Sequence, residues 1–144
     1  MKVTYPPIIL LISLIFQFII YFSFPIAADL SSLLGLILIV SGLSLAAISF
    51  RLMSKIKTTF IPDGTPETLI STGPFKISRN PIYLGMFMLL FGVSFLMESI
   101  SALLIALLFA LLINYTWVSH EEKKLAEIFG QDWIEYCSKV RRWF

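Results

Sequence analysis

Two polar constellations stand out in a chain that is otherwise apolar. The first is Gly73-Pro74-Phe75-Lys76-Ile77-Ser78-Arg79-Asn80-Pro81-Ile82-Tyr83-Leu84-Gly85. Gly-Pro makes a turn. Asn80 followed by Pro81 predicts a helix start, because Asn caps helices and Pro suits the first helical position. Free N–H groups and a positive dipole end lie at such a start, and Arg79 adds a full charge beside them. An anion such as a carboxylate is naturally held there. Tyr83, one turn in, can offer a ring or a hydroxyl. The same residues also fit a plain capped helix with a basic flank and an interfacial tyrosine, which membrane proteins often carry.

The second constellation is Glu121-Glu122. Adjacent carboxylates on a helix point about 100° apart. One could face a ligand while the other pairs with Lys124 or Arg142. The competing reading is a solvated charge pattern with neighbouring lysines. Just upstream lie Asn114, Tyr115, Thr116 and Trp117. Asn114 inside an apolar helix is costly unless partnered. It either bonds another helix or lines a polar pocket, and Trp117 would share that pocket. Arg141-Arg142-Trp143-Phe144 reads as a basic and aromatic headgroup anchor, with a role toward an acidic substrate group as the alternative. His120 and Cys137 are single in the chain. Neither has companions for a metal or haem site, so no metal is expected.

The elements that must position these residues follow from composition. The chain of 144 residues is 58% hydrophobic and 14% charged, against about 25% charged in soluble domains. Most of it therefore belongs in lipid, as one domain over residues 1–144. Four apolar stretches, about 8–24, 30–50, 82–97 and 100–118, approach the roughly 20 residues that span a bilayer core. Every Lys and Arg falls before the first stretch, between the second and third, or after the fourth. Asp29 and Glu98 occupy the other two connections. With four spans, the positive-inside rule places the basic side, and both termini, in the cytosol. Both constellations then share one face.

Gly35 and Gly42 are seven residues apart, as are Gly85 and Gly92, and Ser49 and Ser99 continue each series. Small residues so spaced let membrane helices approach closely. The loop 51–80 holds Pro62, Gly64, Pro66, Gly73 and Pro74 and reads as turns. Over 119–142, Leu125, Ile128, Phe129, Trp133, Tyr136 and Val140 recur at helical spacing. These predict amphipathic cytosolic helices broken at Gly130, with Asp132 and Glu135 as a capping box. The fold class expected is all-α integral membrane, with four transmembrane helices plus these C-terminal helices.

Taken together these residues resemble the isoprenylcysteine carboxyl methyltransferase and phospholipid methyltransferase family. Its pattern is Arg-His-Pro-x-Tyr-x-Gly, a hydrophobic stretch, then Glu-Glu. Here it reads Arg79-Asn80-Pro81-Ile82-Tyr83-Leu84-Gly85, then Glu121-Glu122, continued by Leu125, Phe129-Gly130, Trp133, Tyr136, Val140 and Arg142. The resemblance covers Leu69 to Arg142. It implies S-adenosylmethionine as cofactor, bound by Gly73, Pro74, Arg79, Asn80, Tyr83, Gly85, Glu121 and Glu122. It also implies a lipophilic acceptor entering from the bilayer past Asn114 and Trp117. The acceptor is most like an isoprenylcysteine carboxylate, with a phospholipid amine as the alternative.

The sulfonium methyl is already activated, so alignment and exclusion of water suffice. Arg79 and Arg142 are candidates to hold a carboxylate acceptor, and Glu122 or Glu121 to deprotonate an amine. Asn80 departs from the family's His and cannot titrate. Asn at this place is similar to small bacterial relatives, which suggests a prokaryotic inner or plasma membrane. Nucleic acid is not an expected partner, and no oligomeric state follows from the sequence. A membrane NADPH-dependent reductase, a small transporter and a non-catalytic membrane module are the competing classes. A transporter would want an ionisable residue deep in a span; Gln17 and Asn114 are the only strongly polar side chains there.

Overall fold

The computed structural model describes residues 6–56 and 67–144. Lys2, Lys57, Pro62, Gly64 and Pro66, all used in the expectations above, lie outside the described residues. The described residues fold as helices: α1 (Pro6–Ser23), α2 (Ser32–Lys55), a 3₁₀ turn (Gly73–Lys76), α3 (Pro81–Leu96), α4 (Ile100–Ile113), a π-helical turn (Asn114–Val118) and α5 (Ser119–Lys139). No strand occurs among them beyond one isolated bridge between Ala27 and Ser99.

Three helical stretches are long and apolar enough to cross a membrane: Pro6–Ser23, Ser32–Lys55 and the continuous run Ile100–Lys139. The fourth apolar helix, α3, has 16 residues, about 24 Å at the usual helical rise. The outward faces of α1, α2 and α4 expose Phe16, Phe22, Leu33, Leu36, Leu104 and Leu108. Apolar surface of that extent suits lipid rather than water. Helix α2 runs through Arg51 to Lys55, so the start of the expected loop is helical. Its charged end is a continuation of the span rather than a turn.

The α2–α3 pair forms the spine that holds α3 in place. A methyl placed on Gly42 would meet the Gly85 carbonyl oxygen at 2.7 Å, and one on Gly35 would meet that of Gly92 at 2.8 Å. The two glycine pairs thus let the backbones touch, as small residues do in membrane helices. Ser49 continues the α2 series and is fully buried, its Oγ donating to the Leu45 carbonyl. Ser99 does not continue the α3 series. It is the N-cap of α4, where its Oγ accepts from the Ala102 N–H. The chain turns too soon, at Met97 and Glu98, for Ser99 to reach α2. Glu98 adopts φ 49° there, and its carboxylate accepts from Ser32 Oγ.

Gln17 is the polar peg of the bundle. It is fully buried, and its Nε2 lies 2.9 Å from the Leu90 carbonyl, 2.9 Å from Ser94 Oγ and 3.1 Å from the Ala102 carbonyl. The amide nitrogen thereby ties α1 to α3 and α4, while the Gln17 Oε1 has no partner among the described residues.

Helix α5 bends at Gly130, whose φ of 49° and ψ of −114° break the helical path. The expected break is therefore present. The expected capping box is not: Glu135 accepts instead from Lys139 Nζ at 2.5 Å. A lysine one turn on offers a full charge, which a backbone N–H does not.

Candidate active site

The start of α3, the start of α5 and the last residues of the chain converge on Glu122. This carboxylate is 8% exposed. Arg79 donates to it through Nε at 3.1 Å and Nη2 at 3.4 Å. Arg142 donates through Nε at 3.0 Å and Nη2 at 2.7 Å. Asn80 Nδ2 adds a fifth bond at 3.0 Å. A buried carboxylate needs such compensation, and two guanidiniums with an amide supply it.

The lead-in to α3 is shaped to deliver these donors. Gly73 adopts φ 58°, a conformation that favours glycine, and starts the 3₁₀ turn. Tyr136 from α5 donates its hydroxyl to the Phe75 carbonyl at 2.6 Å. The Arg79 N–H donates to the Arg141 carbonyl at 3.0 Å, and Ser78 Oγ donates to the Arg142 carbonyl at 2.9 Å. The residues before α3 are thus stitched to the chain's last residues by backbone atoms.

Asn80 is the N-cap residue of α3 and Pro81 the first helical residue, as expected, but the Asn80 side chain makes no cap bond. Its Nδ2 goes to Glu122 and, at 3.4 Å, to the Arg142 carbonyl. A bond to a full carboxylate charge is stronger than one between neutral groups, and it fixes how the amide is turned. The expectation that Arg79 holds a ligand's carboxylate also changes. The anion at the α3 start is the chain's own Glu122. The remaining Nη1 of Arg79 is spent on the carbonyls of Cys137 at 3.4 Å and Val140 at 3.1 Å. Its guanidinium carbon lies 5.8 Å from the centre of the Trp133 ring. Arg142 is more open, with a side chain 37% exposed against 14% for Arg79.

Glu122 thus has both carboxylate oxygens engaged by side chains of the protein itself. Its neighbour differs. Glu121 accepts from the Tyr83 hydroxyl at 2.6 Å and faces no guanidinium. Burial pushes its carboxyl up to about 7, against the opposing pull of the Tyr83 bond and of Lys124. The two adjacent carboxylates thus divide as their 100° offset allows: one is clamped by two guanidiniums, the other accepts from the Tyr83 hydroxyl.

Asn114 joins the same cluster. Its Oδ1 accepts from Arg142 Nη1 at 3.3 Å and from Trp143 Nε1 at 3.1 Å. Its carbonyl accepts from Ser119 Oγ at 2.7 Å, across the π-helical turn. Its side-chain oxygen is therefore held by the protein. Trp117 packs against the apolar cluster of Tyr83, Leu90, Ala106, Phe109, Ile113 and Val118. Gly85 is not brought together with the Glu121–Glu122 cluster. It is the contact with Gly42 and Ala46 of α2, about 200° around the helix from Tyr83. Pro74 is buried in the lead-in turn.

His120 is exposed. The Cys137 thiol is pushed up by burial, and it is the Cys137 carbonyl that meets Arg79. Four contributors escaped the sequence reading: Ser78, the Arg141 carbonyl, the Arg142 carbonyl and the indole N–H of Trp143. Backbone acceptors leave no residue-type signal. Trp143 was legible as an aromatic beside Arg142, but not as a partner of Asn114.

The helices and the site together define a membrane-embedded bundle with one polar centre at the end where α3 and α5 begin. Residues 30–132 match the phospholipid methyltransferase family model, and the chain belongs to that family. It is 30% identical over 126 residues to protein-S-isoprenylcysteine O-methyltransferase of Saccharomyces cerevisiae, covering 83% of this chain and 51% of that protein. The chain thus spans about half the length of the curated relative it matches. Its fold is similar to that of a solved eukaryotic intramembrane Ras methyltransferase, isoprenylcysteine carboxyl methyltransferase. The TM-score is 0.72 at 20% identity, over 99% of this chain and 54% of that one. The chain is an integral membrane protein.

Proposed function

We propose that this chain transfers a methyl group from S-adenosylmethionine to a lipophilic acceptor presented from the bilayer, most like an isoprenylcysteine carboxylate. The observation that carries this reading is the meeting of Arg79, Asn80 and Tyr83 with Glu121 and Glu122 in one buried cluster. These are the residues through which the chain resembles its family. The relative from yeast, an O-methyltransferase of isoprenylcysteine by name, supports a carboxylate acceptor over an amine.

The residues present fit such a donor. Glu121 is a largely buried carboxyl without a guanidinium partner, and its raised pKa is what a cationic neighbour would correct. When bound, the donor supplies a methyl already activated by its sulfonium. Glu121, oriented by Tyr83, offers negative charge to the donor's cationic part. The Gly73–Pro74 turn and Asn80 would hold the rest of the donor, as the family resemblance implies. Glu122 holds Arg79 and Arg142 in place, so those side chains need no reorganisation when charge moves. The half-open guanidinium of Arg142 is the cation left to orient an acceptor carboxylate, which needs no base at neutral pH. The apolar groups around Tyr83 exclude water.

Four spans with cytosolic termini fit this chemistry, because the polar cluster then faces a soluble donor while the acceptor stays in lipid. The short α3 is the third of these spans in chain order. Calorimetry of S-adenosylmethionine with the protein in nanodiscs tests the reading. Saturable binding is expected, along with methylation of a farnesylated cysteine. Binding of NADPH in its place would sink it.

A further inference from the structure

The Trp117 indole nitrogen is a buried donor with no acceptor among the described residues. A buried donor left unpaired is costly, so its presence asks for a partner beyond the described residues. The obvious internal acceptor, Asn114 Oδ1, three residues earlier, is taken by Trp143 and Arg142. The backbone around Trp117 is also unusual. Asn114–Val118 is π-helical, and such turns inside α-helices are rare and frequent at functional sites. The turn places Trp117 one helical turn before Glu121. Its ring packs on the cluster that contains Tyr83, the hydroxyl partner of Glu121.

The surroundings define what can satisfy the indole. Trp117 packs against an apolar cluster that includes Phe109, Ile113 and Val118. A hydrogen-bond acceptor attached to a hydrocarbon chain suits it, and a free anion or a sugar does not. We propose that Trp117 Nε1–H is a substrate-binding donor that hydrogen-bonds an oxygen near the polar end of the lipophilic acceptor. This rests on the proposed function for the nature of the ligand, but not for the existence of the orphan donor. It also separates two recognition tasks. Glu121 and Tyr83 serve the methyl donor, whereas Trp117 serves the methyl acceptor.

Trp117→Phe keeps a ring and removes only the donor. The KM for a farnesylated cysteine should rise about tenfold, the worth of one hydrogen bond, with kcat and the S-adenosylmethionine affinity unchanged. Thermal stability of the unliganded protein should stay or increase, because an unpaired donor has gone. In ¹⁵N-tryptophan spectra, the indole resonance missing from the variant should be the one that moves when farnesylated cysteine is added to the wild type. An unmoved resonance, or an unchanged KM, overturns the proposal. So does a fall in unliganded stability, which would reveal an internal partner. If the resonance moves but no S-adenosylmethionine binds, the site stands and the methyltransferase reading fails.

Discussion

The Tyr83 hydroxyl donates to Glu121 at 2.6 Å, joining the first turn of α3 to the first turn of α5. Tyr83 is 8% exposed, so its ring is fixed by packing and its hydroxyl aims Glu121. Tyr83→Phe keeps the ring and leaves the carboxylate unaimed. The expected outcome is about tenfold weaker S-adenosylmethionine binding, from the loss of a charge-assisted bond worth about 1.5 kcal/mol. Calorimetry checks the affinity, and circular dichroism should show unchanged helix content. Wild-type affinity in Tyr83→Phe would remove Glu121 from the donor site.

Glu122 has the opposite character. It carries five donors from Arg79, Arg142 and Asn80, and all of them lose their acceptor in Glu122→Ala. Breaking a buried pair from one side costs about 3–5 kcal/mol. Glu122→Ala should therefore be markedly less stable to heat in detergent, before any question of activity. Adding Arg142→Ala should recover part of the loss, since one stranded charge is removed. Equal stability of wild type and Glu122→Ala would show that the clamp is not structural.

Much of this was legible in the sequence, and the reason is physical. A lipid environment forces long apolar runs and confines charge to the connections, so the bundle and the common face of the two constellations could be read from residue types. The glycine series of Gly35, Gly42, Gly85 and Gly92 was equally plain, because only close backbone approach uses small residues at that spacing. Partner choice was not legible. Asn80 could cap a helix or bond a carboxylate, and only the position of Glu122 decides. Nor could the sequence say which of Glu121 and Glu122 faces the arginines, because the π-helical turn at Asn114–Val118 resets the angle between α4 and α5. Gly85 closes the first constellation, yet it packs against Gly42 and Ala46 of α2.

That packing gives its own prediction. A methyl on Gly85 would meet the Gly42 carbonyl oxygen at 2.5 Å and the Ala46 Cβ at 3.0 Å. Backbone cannot step aside as a flexible side chain can, so Gly85→Ala must push α2 and α3 apart. Overpacking of this kind costs about 1–3 kcal/mol. Thermal unfolding should shift down in Gly85→Ala, while the S-adenosylmethionine affinity of the folded fraction stays within about twofold, since Gly85 faces away from Tyr83. A selective loss of affinity with unchanged stability would return Gly85 to the cofactor site.

The last prediction concerns pH. Burial raises the Glu121 carboxyl from 4.5 to about 7, so the folded protein holds this proton where the unfolded chain has released it. Folding therefore takes up a proton between those two values, and stability falls as pH rises through that window. The contribution is fully present below about 4.5 and lost once pH passes about 7. Binding of a cationic donor runs the other way, because it requires the ionised carboxylate. Affinity for S-adenosylmethionine should rise from pH 6 toward pH 8, with a proton released on binding that calorimetry in buffers of different ionisation enthalpy detects. Glu121→Gln should flatten both profiles. A pH dependence that survives in Glu121→Gln would assign the titration, and the donor's counter-charge, to another group.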